Sequence, residues 1–145
     1  MFKHILLPTD GSELSMRAVD MGIDIAVKYG ASVFAIHAIK PLPAVRHVSD
    51  SLVLKEDEKT QKATRQAVSY LEEVHRRAEA AKVACRSAYE FDTRPYMVIA
   101  SVARSEKCDL IVIGTHIETG MDRLLSGSQT AKLLVSTGIP VLVCR

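Results

Sequence analysis

The chain has 145 residues, of which 48% are hydrophobic and 25% are charged, and its formal net charge is +2. This length and composition suit one soluble unit with a buried core, and we expect a single domain over residues 1–145. The near-neutral charge, without a basic cluster, argues against a nucleic-acid-binding surface. No segment approaches the ~20 apolar residues needed to span a bilayer. The three cysteines lack CxxC spacing, so we expect free thiols and a cytoplasmic protein.

Short apolar segments rich in β-branched residues recur along the whole chain and predict strands. Their near-continuous apolar character is typical of strands buried on both faces, as in a parallel sheet. The predicted strands are His4–Thr9, Ser32–Ala38, a weaker Lys82–Tyr89, Leu110–Gly114 and Pro140–Cys144.

Segments with helical spacing alternate with these strands. The first is capped by Ser12 or Ser15 and ends at Gly30, the second spans Glu56–Ala81, the third starts at Asp92 or Thr93 with Pro95 in its first turn, and the fourth runs from Gly127–Ser128 to Gly138. The order βαβαβαβαβ predicts an open parallel α/β sheet with helices on both faces. A long connection, Lys40–Leu54, follows the second strand; it is either a flap over the ligand side or an ordinary surface loop.

In open α/β sheets, ligands bind beyond the carboxyl ends of the strands, and two strand ends here carry polar residues. Asp10 follows the first strand, where its carboxylate could accept a hydrogen bond from a ribose hydroxyl or an adenine amine. Asp10 and Ser12 could equally do no more than turn the chain and cap the first helix.

The second polar strand end begins at Gly114, and Gly127–Ser128 then opens the fourth helix. Free N–H groups and the hydroxyls of Ser126, Ser128 and Thr130 would make this helix start an anion site, although a plain helix cap explains the same residues. Neither GxxxxGK[ST] nor GxGxxG is present, so a phosphate would be held by amides and hydroxyls rather than by a lysine.

The sequence supports no dedicated catalyst. The five histidines lack HExxH spacing and no GxSxG motif occurs, so we predict at most slow ATP hydrolysis, with no catalytic residue and no metal site of the protein's own. His116 is the histidine nearest a bound phosphate, whereas His37, inside an apolar strand, is expected to be a core residue. Glu118 and Asp122 could help to hold a Mg²⁺ that a phosphate brings with it.

Three stretches together resemble the universal stress protein family over nearly the whole chain. They are PTDGS after the first strand, Gly114-x2-Ile117-x9-Gly127-Ser128 after the fourth, and the closing IPVLVCR. The nucleotide-binding members of the family carry G-x2-G-x9-G-[ST] at the second of these. The spacing is kept here, but Ile117 replaces the second glycine, and its β-branched side chain adds bulk beside the phosphates.

The resemblance implies the strand order 3-2-1-4-5 and a nucleotide site. Pro8, Thr9 and Asp10 would surround adenine and ribose, Ala38 would present its backbone to the adenine edge, Gly114 would lie by the ribose, and Gly127, Ser128, Gln129 and Thr130 would hold phosphates. It also implies a homodimer through Ile139–Arg145, which agrees with an apolar terminal strand.

Two functional hypotheses remain. In the first, the protein is a stress-response regulator that binds ATP or a related adenine nucleotide, with or without Mg²⁺. In the second, it is a nucleotide-free dimeric interaction module whose phosphate site is blocked by Ile117. Asp10 and Gly127–Ser128 favour the first hypothesis, which we prefer, and Ile117 favours the second. The protein partner is unknown in both.

Overall fold

The computed structural model describes residues 1–42, 50–115 and 127–145. It contains β1 (His4–Pro8), α1 (Glu13–Tyr29), β2 (Ser32–Ile39), α2 (Asp50–Ala80), β3 (Cys85–Phe91), α3 (Pro95–Ser105), β4 (Leu110–Gly114), α4 (Gly127–Ser136) and β5 (Val141–Cys144). Strands and helices alternate as the sequence predicts.

The five strands form one parallel sheet in the order β3-β2-β1-β4-β5. This confirms the predicted fold class and strand order. Because the order reverses between β1 and β4, their carboxyl ends lie side by side at the position where such sheets bind ligands.

Helices cover both faces of the sheet, and each face has its own apolar core. On one face, side chains of α1 and α2 pack on alternate sheet residues that include Ile5, Leu7 and Val112. On the other face, α3 and α4 pack on the intervening residues, among them Leu6 and Ile113. The central strands are therefore buried on both sides, which explains their continuous apolar sequences.

Most element boundaries lie one to three residues from the predicted ones; α3, for example, begins at Pro95 rather than at Asp92 or Thr93, and the start of α2 differs most. The helix α2 begins at Asp50, six residues before Glu56, because Asp50 and Ser51 are residue types that favour a helix start. The predicted connection Lys40–Leu54 therefore overlaps this helix, and its residues 43–49 lie outside the described residues. The strand β3 starts later and ends later than predicted, at Phe91, because it is paired with β2 as far as Ile39.

The ends of α1 follow the local signals in the sequence. Ser12 is the N-cap, and its hydroxyl accepts a hydrogen bond from the backbone N–H of Ser15. Gly30 ends the helix in the left-handed conformation at φ 66°, a conformation that glycine adopts without steric cost. These caps fix the direction in which α1 leaves the end of β1.

Candidate functional site

The topology gathers most of the predicted site residues at one edge of the sheet. Thr9 and Asp10 follow β1, Ala38 is next to last in β2, and Gly114 ends β4 beside β1. Gly127, Ser128, Gln129 and Thr130 form the first turn of α4, which leads into β5. The predicted residues His116, Ile117, Glu118, Asp122 and Ser126 lie outside the described residues.

The turn between β1 and α1 is held by a chain of hydroxyl groups. The Gly11 N–H donates to Thr9 Oγ1 (3.1 Å), Thr9 Oγ1 lies 2.9 Å from Ser15 Oγ, and Ser15 Oγ donates to the Ser12 carbonyl (2.9 Å). Since that carbonyl can only accept, Ser15 is its donor, and the Ser15 oxygen can in turn accept a hydrogen bond from Thr9. The Thr9 hydroxyl also lies 3.4 Å from Met16 Sδ, which is a weaker acceptor. Thr9 and Ser15 are both buried.

One carboxylate oxygen of Asp10 stabilises the local turn, and the other has no partner among the described residues. Its Oδ1 accepts from the Ser12 N–H at 2.9 Å, which is the turn predicted as the alternative to ligand binding. Among residues 1–42, 50–115 and 127–145, no hydrogen bond to Asp10 Oδ2 is present. The carboxylate can therefore brace the turn and still accept a hydrogen bond from a ligand.

Tyr70 of α2 lies against this turn. Gly11 has φ +76°, and a Cβ added to it would lie 2.2 Å from Tyr70 Cε1, so the ring packs directly on the glycine. Burial raises the pKa of the Tyr70 hydroxyl, and the negative charge of Asp10 raises it further. The Tyr70 hydroxyl therefore keeps its proton, and the side chain beside the Asp10 carboxylate is neutral.

His37 is a buried core residue, as the sequence predicts, and it joins the end of β2 to the end of β1. Its Nδ1 donates to the Thr9 carbonyl at 2.7 Å, and its ring meets Tyr70 edge to face with centroids 5.4 Å apart. Burial lowers the pKa of His37, although the Thr9 carbonyl and the charge of Asp10 act in the opposite direction. The imidazole is therefore neutral near pH 7.

Ala38 directs its backbone towards the open end of β1. In β2, Ser32 donates to Lys3 and Ile36 accepts from Thr9, so even-numbered residues point their N–H and C=O groups to the β1 side. Ala38 continues this alternation two residues later, where β1 has ended at Pro8. Its N–H and C=O groups are thus directed past the last paired residue of β1.

Gly114 lacks a side chain for a reason of packing. A Cβ at this position would lie 2.7 Å from the Leu14 carbonyl oxygen and 3.1 Å from Ser15 Cα, both of which are backbone atoms of α1. Among the described residues, the backbone that packs closely against Gly114 is therefore that of α1. The contact brings the start of α1 and the end of β4 into one rigid corner of the site.

Two buried hydroxyl groups on the α3 and α4 side of the sheet have no partner among the described residues. Thr115, directly after β4, is 6% exposed, and Thr130, in the first turn of α4, is 5% exposed. Within the part of the chain that the structure describes, neither Oγ1 makes a hydrogen bond. A buried hydroxyl without a partner costs about 1–3 kcal/mol, so these two groups indicate a place that a polar ligand could complete.

Gln129 is the predicted phosphate-site residue whose side chain has another role. Its Oε1 lies 3.5 Å from the backbone N–H of Tyr96, in the first turn of α3. The side chain of Arg94, the N-cap residue of α3, makes no capping hydrogen bond. The carboxamide oxygen of Gln129 therefore links the start of α4 to the start of α3 and turns the side chain towards α3.

Sequence reasoning missed Tyr70 and Thr115. Tyr70 is not part of the apolar spacing that predicts α2, which runs through Ala67, Leu71, Val74, Ala78 and Ala81, so nothing in that spacing indicates that it reaches the β1–α1 turn. Thr115 could have been noticed in the sequence, because it follows the last residue of β4 and is polar. In the structure, its N–H donates to the Cys144 carbonyl at 3.0 Å. That bond extends the ladder to β5 and buries the side chain.

In residues 1–42, 50–115 and 127–145, no cluster of three potential metal ligands is present. Within the same ranges, no helix has the length and apolarity needed to cross a bilayer.

The three cysteines are free: Cys108 and Cys144 are buried and Cys85 is half-buried. Burial raises the pKa of the Cys85 thiol to about 11.

Comparison with known proteins agrees with this geometry. The model of the universal stress protein family matches residues 1–145. A universal stress protein of Thermus aquaticus is 33% identical over the full length of both chains. The solved structure of protein MJ0577 of Methanocaldococcus jannaschii superimposes with a TM-score of 0.78 at 26% identity, covering 99% of this chain and 96% of that one.

A further solved structure is a universal stress protein in complex with cAMP. It has a TM-score of 0.71 and 26% identity, and the match covers 99% of this chain and 97% of that one. The family model spans the whole chain, and the match with the Thermus aquaticus protein covers the full length of both chains. The chain therefore belongs to the universal stress protein family.

Proposed function

We propose that this protein is a stress-response regulator that binds ATP or a related adenine nucleotide at the carboxyl ends of β1 and β4. The observation that carries the proposal is the pair of buried hydroxyls of Thr115 and Thr130, which have no partner in the described part of the chain. A ligand rich in oxygen atoms would supply the hydrogen bonds that these groups lack.

Other features of the site support an adenine nucleotide over a simple anion. The backbone of Ala38 faces the β1 side beyond the end of that strand, where an adenine edge could pair with it. Asp10 keeps one carboxylate oxygen for a ribose hydroxyl. The first turn of α4, from Gly127 to Thr130, offers N–H groups to phosphates. A relative of the same fold has been crystallised with cAMP.

Each residue of the site has a proposed role in binding one part of the nucleotide. Pro8, Thr9 and Asp10 flank adenine and ribose, and Gly114 lies by the ribose. Gly127, Ser128, Gln129 and Thr130 contact the phosphates, with Gln129 acting through its backbone only. Mg²⁺, if it takes part, arrives with the nucleotide.

A second candidate function rests on Ile117. This residue stands at the position of a family glycine beside the phosphates, and its side chain would occupy space that the glycine leaves open. In that case, the fold serves as a nucleotide-free interaction module. The alternative predicts that Ile117→Gly creates binding that the natural chain lacks.

We also propose a homodimer through Ile139–Arg145, in the cytoplasm. The edge strand β5 leaves Leu142 exposed, and the neighbouring α4 exposes Leu134 and Val135. Pairing of this edge with its own copy would cover these apolar side chains. The free state of all three cysteines agrees with a reducing compartment.

Isothermal titration of Mg²⁺–ATP into nucleotide-stripped protein tests the proposal. We expect micromolar binding by the natural chain. Asp10→Ala should weaken that binding at least about tenfold, because the ribose loses its acceptor. Thr130→Val, which keeps the shape and removes the hydroxyl, should weaken it as well. Val68→Thr, an exposed change on α2, serves as the control.

Each outcome separates the two functions. Binding by the natural chain that Asp10→Ala removes would establish the nucleotide site and show that Ile117 is tolerated. If the natural chain fails to bind and Ile117→Gly binds, the regulator hypothesis is wrong and the interaction module stands.

A further inference from the structure

The start of α3 is held against the start of α4, so the two helices present their first turns at the same edge of the sheet. The backbone N–H of Tyr96, the second residue of α3, donates to Gln129 Oε1 at 3.5 Å. Gln129 belongs to the first turn of α4, to which the phosphates are assigned. The residue that precedes α3 is therefore close to the phosphate end of the proposed nucleotide site.

Arg94 occupies this position and has no role in starting the helix. It is the N-cap residue of α3, but its side chain makes no capping hydrogen bond, and arginine is not among the residue types that favour this position. The turn is stabilised instead by Asp92, whose Oδ1 accepts the backbone N–H of Arg94 at 2.8 Å. The Arg94 side chain is therefore not required to form α3.

The guanidinium of Arg94 keeps most of its donors. Its Nε lies 3.3 Å from Asp92 Oδ1, and the side chain is 57% exposed. In residues 1–42, 50–115 and 127–145, neither Nη1 nor Nη2 of Arg94 makes a hydrogen bond. An exposed ion pair with a single contact restrains its side chain weakly. Two parallel N–H donors are the group with which arginine binds two oxygens of one phosphate.

The residues assigned to the nucleotide bring no positive charge of their own. Asp10 is the one charged residue in that set, and its charge is negative. The first turn of α4 offers N–H groups, which balance the charge of a triphosphate only in part. Neither α3 nor α4 contains an acidic residue. A cation at the start of α3 would therefore complete the charge balance of the phosphates.

Two other exposed cations near this edge, Lys40 and Lys132, have different surroundings. The Lys132 ammonium lies over the Tyr96 ring, 5.7 Å from its centroid. Lys40 directly follows β2, two residues after Ala38, and is therefore at the end of the site assigned to adenine. Arg94 is the cation that adjoins the first turn of α4 and has donors left for a ligand.

We propose that Arg94 contacts the terminal phosphate of a bound nucleotide and makes the site prefer a triphosphate to a monophosphate. This inference rests on the proposed function, because it needs a nucleotide whose phosphates lie at the first turn of α4. Asp92 would keep its contact with Nε and orient the guanidinium, while Nη1 and Nη2 bind two oxygens of the phosphate. Adenosine and the first phosphate would bind equally well without Arg94.

Isothermal titration of Mg²⁺–ATP and of AMP into nucleotide-stripped protein tests the proposal. The natural chain should bind Mg²⁺–ATP at least about tenfold more tightly than AMP. Arg94→Gln, which removes the charge and the paired donors, should weaken Mg²⁺–ATP binding at least about tenfold and leave AMP binding unchanged. Arg104→Gln, at an exposed arginine in the last turn of the same helix, is the control and should change neither affinity.

The outcomes distinguish this inference from the proposed function. If the natural chain binds both nucleotides and Arg94→Gln changes neither affinity, the site stands and the role of Arg94 is wrong. Equal weakening of Mg²⁺–ATP and AMP by Arg94→Gln would also contradict that role, because the side chain would then act on adenosine or on the fold. If the natural chain binds neither nucleotide, the proposed function fails and this inference fails with it.

Discussion

The two sides of the candidate site are built differently. In the turn between β1 and α1, Thr9 and Ser15 join Gly11 and Ser12 in one chain of hydrogen bonds. At the end of β4 and the start of α4, the buried hydroxyls of Thr115 and Thr130 have no partner among the described residues. The hydroxyl chain of the first side is complete without a ligand, whereas the two hydroxyls of the second side gain hydrogen bonds when a ligand arrives. We therefore expect the loss of a hydroxyl on the first side to act on folding and the loss of one on the second side to act on binding; Asp10, which has an oxygen left for a ligand, is the exception on the first side.

The largest effect on folding is expected at Gly11. Gly11→Ala forces a side chain into the left-handed region and towards the Tyr70 ring, which together should cost about 2–4 kcal/mol of folding free energy. In a Tyr70→Ala background the steric part disappears, so the same substitution should cost only about 1–2 kcal/mol. Urea denaturation measures both values. Gly138→Ala is the control, since nothing lies within 4 Å of its added Cβ. A cost that Tyr70→Ala leaves unchanged would show that the ring can move aside.

Removal of the Thr9 hydroxyl should have the next largest effect. Thr9→Val leaves the Gly11 N–H and the Ser15 hydroxyl short of a partner, which should destabilise the fold by about 1–3 kcal/mol. Thermal and urea unfolding of the ligand-free protein provide the measurement. The control is Thr64→Val, which makes the same substitution at an exposed hydroxyl. Equal stabilities of Thr9→Val and Thr64→Val would remove the distinction between the two sides.

The same substitution on the other side should behave in the opposite way. Thr115→Val and Thr130→Val remove hydroxyls that have no partner, so the ligand-free protein should keep its stability or gain up to about 1 kcal/mol. Under the proposed function, both variants should bind Mg²⁺–ATP more weakly than the natural chain. Loss of stability in both variants without any change in binding would contradict this comparison.

The smallest effect is a dependence on pH that arises from His37. Burial lowers the pKa of His37 in the folded protein, so below the ordinary histidine pKa of about 6.5 the unfolded chain binds more protons than the folded one. The folded state should lose stability as the pH falls from 7 towards 5. The contribution of neutral His37 to the free energy of unfolding should be fully present above pH 7. His37→Gln should flatten that part of the stability profile. A profile with the same slope in both proteins would assign it to other groups.

The fold could be predicted from the sequence because its strands are buried on both faces. Segments such as Leu110–Gly114 are apolar throughout, and the structure places β4 at those same residues. The strand β3 was harder to delimit, since an edge strand keeps polar residues such as Arg86 and Glu90. Its end is decided by pairing with β2, a contact between distant parts of the chain that local sequence does not record.

The candidate site was predictable where its residues follow strands in sequence. Asp10 and Gly114 could be placed at one edge because the carboxyl ends of parallel strands meet there. Tyr70 could not, because its contact with Gly11 depends on the rotation of a 31-residue helix about its axis. The packing role of Gly114 was equally hidden, since the Leu14 carbonyl that it accommodates belongs to another element.

The burial of the Thr9 hydroxyl has a consequence for hydrogen exchange. The Gly11 amide belongs to a turn, where amide protons usually exchange with solvent quickly, but it is bonded to this buried hydroxyl. Exchange requires the Gly11 backbone to move away from the Thr9 side chain, so this amide should exchange more slowly than the amides of an exposed turn. In deuterium-exchange experiments, the Gly11 amide would therefore be protected although it belongs to no helix or strand.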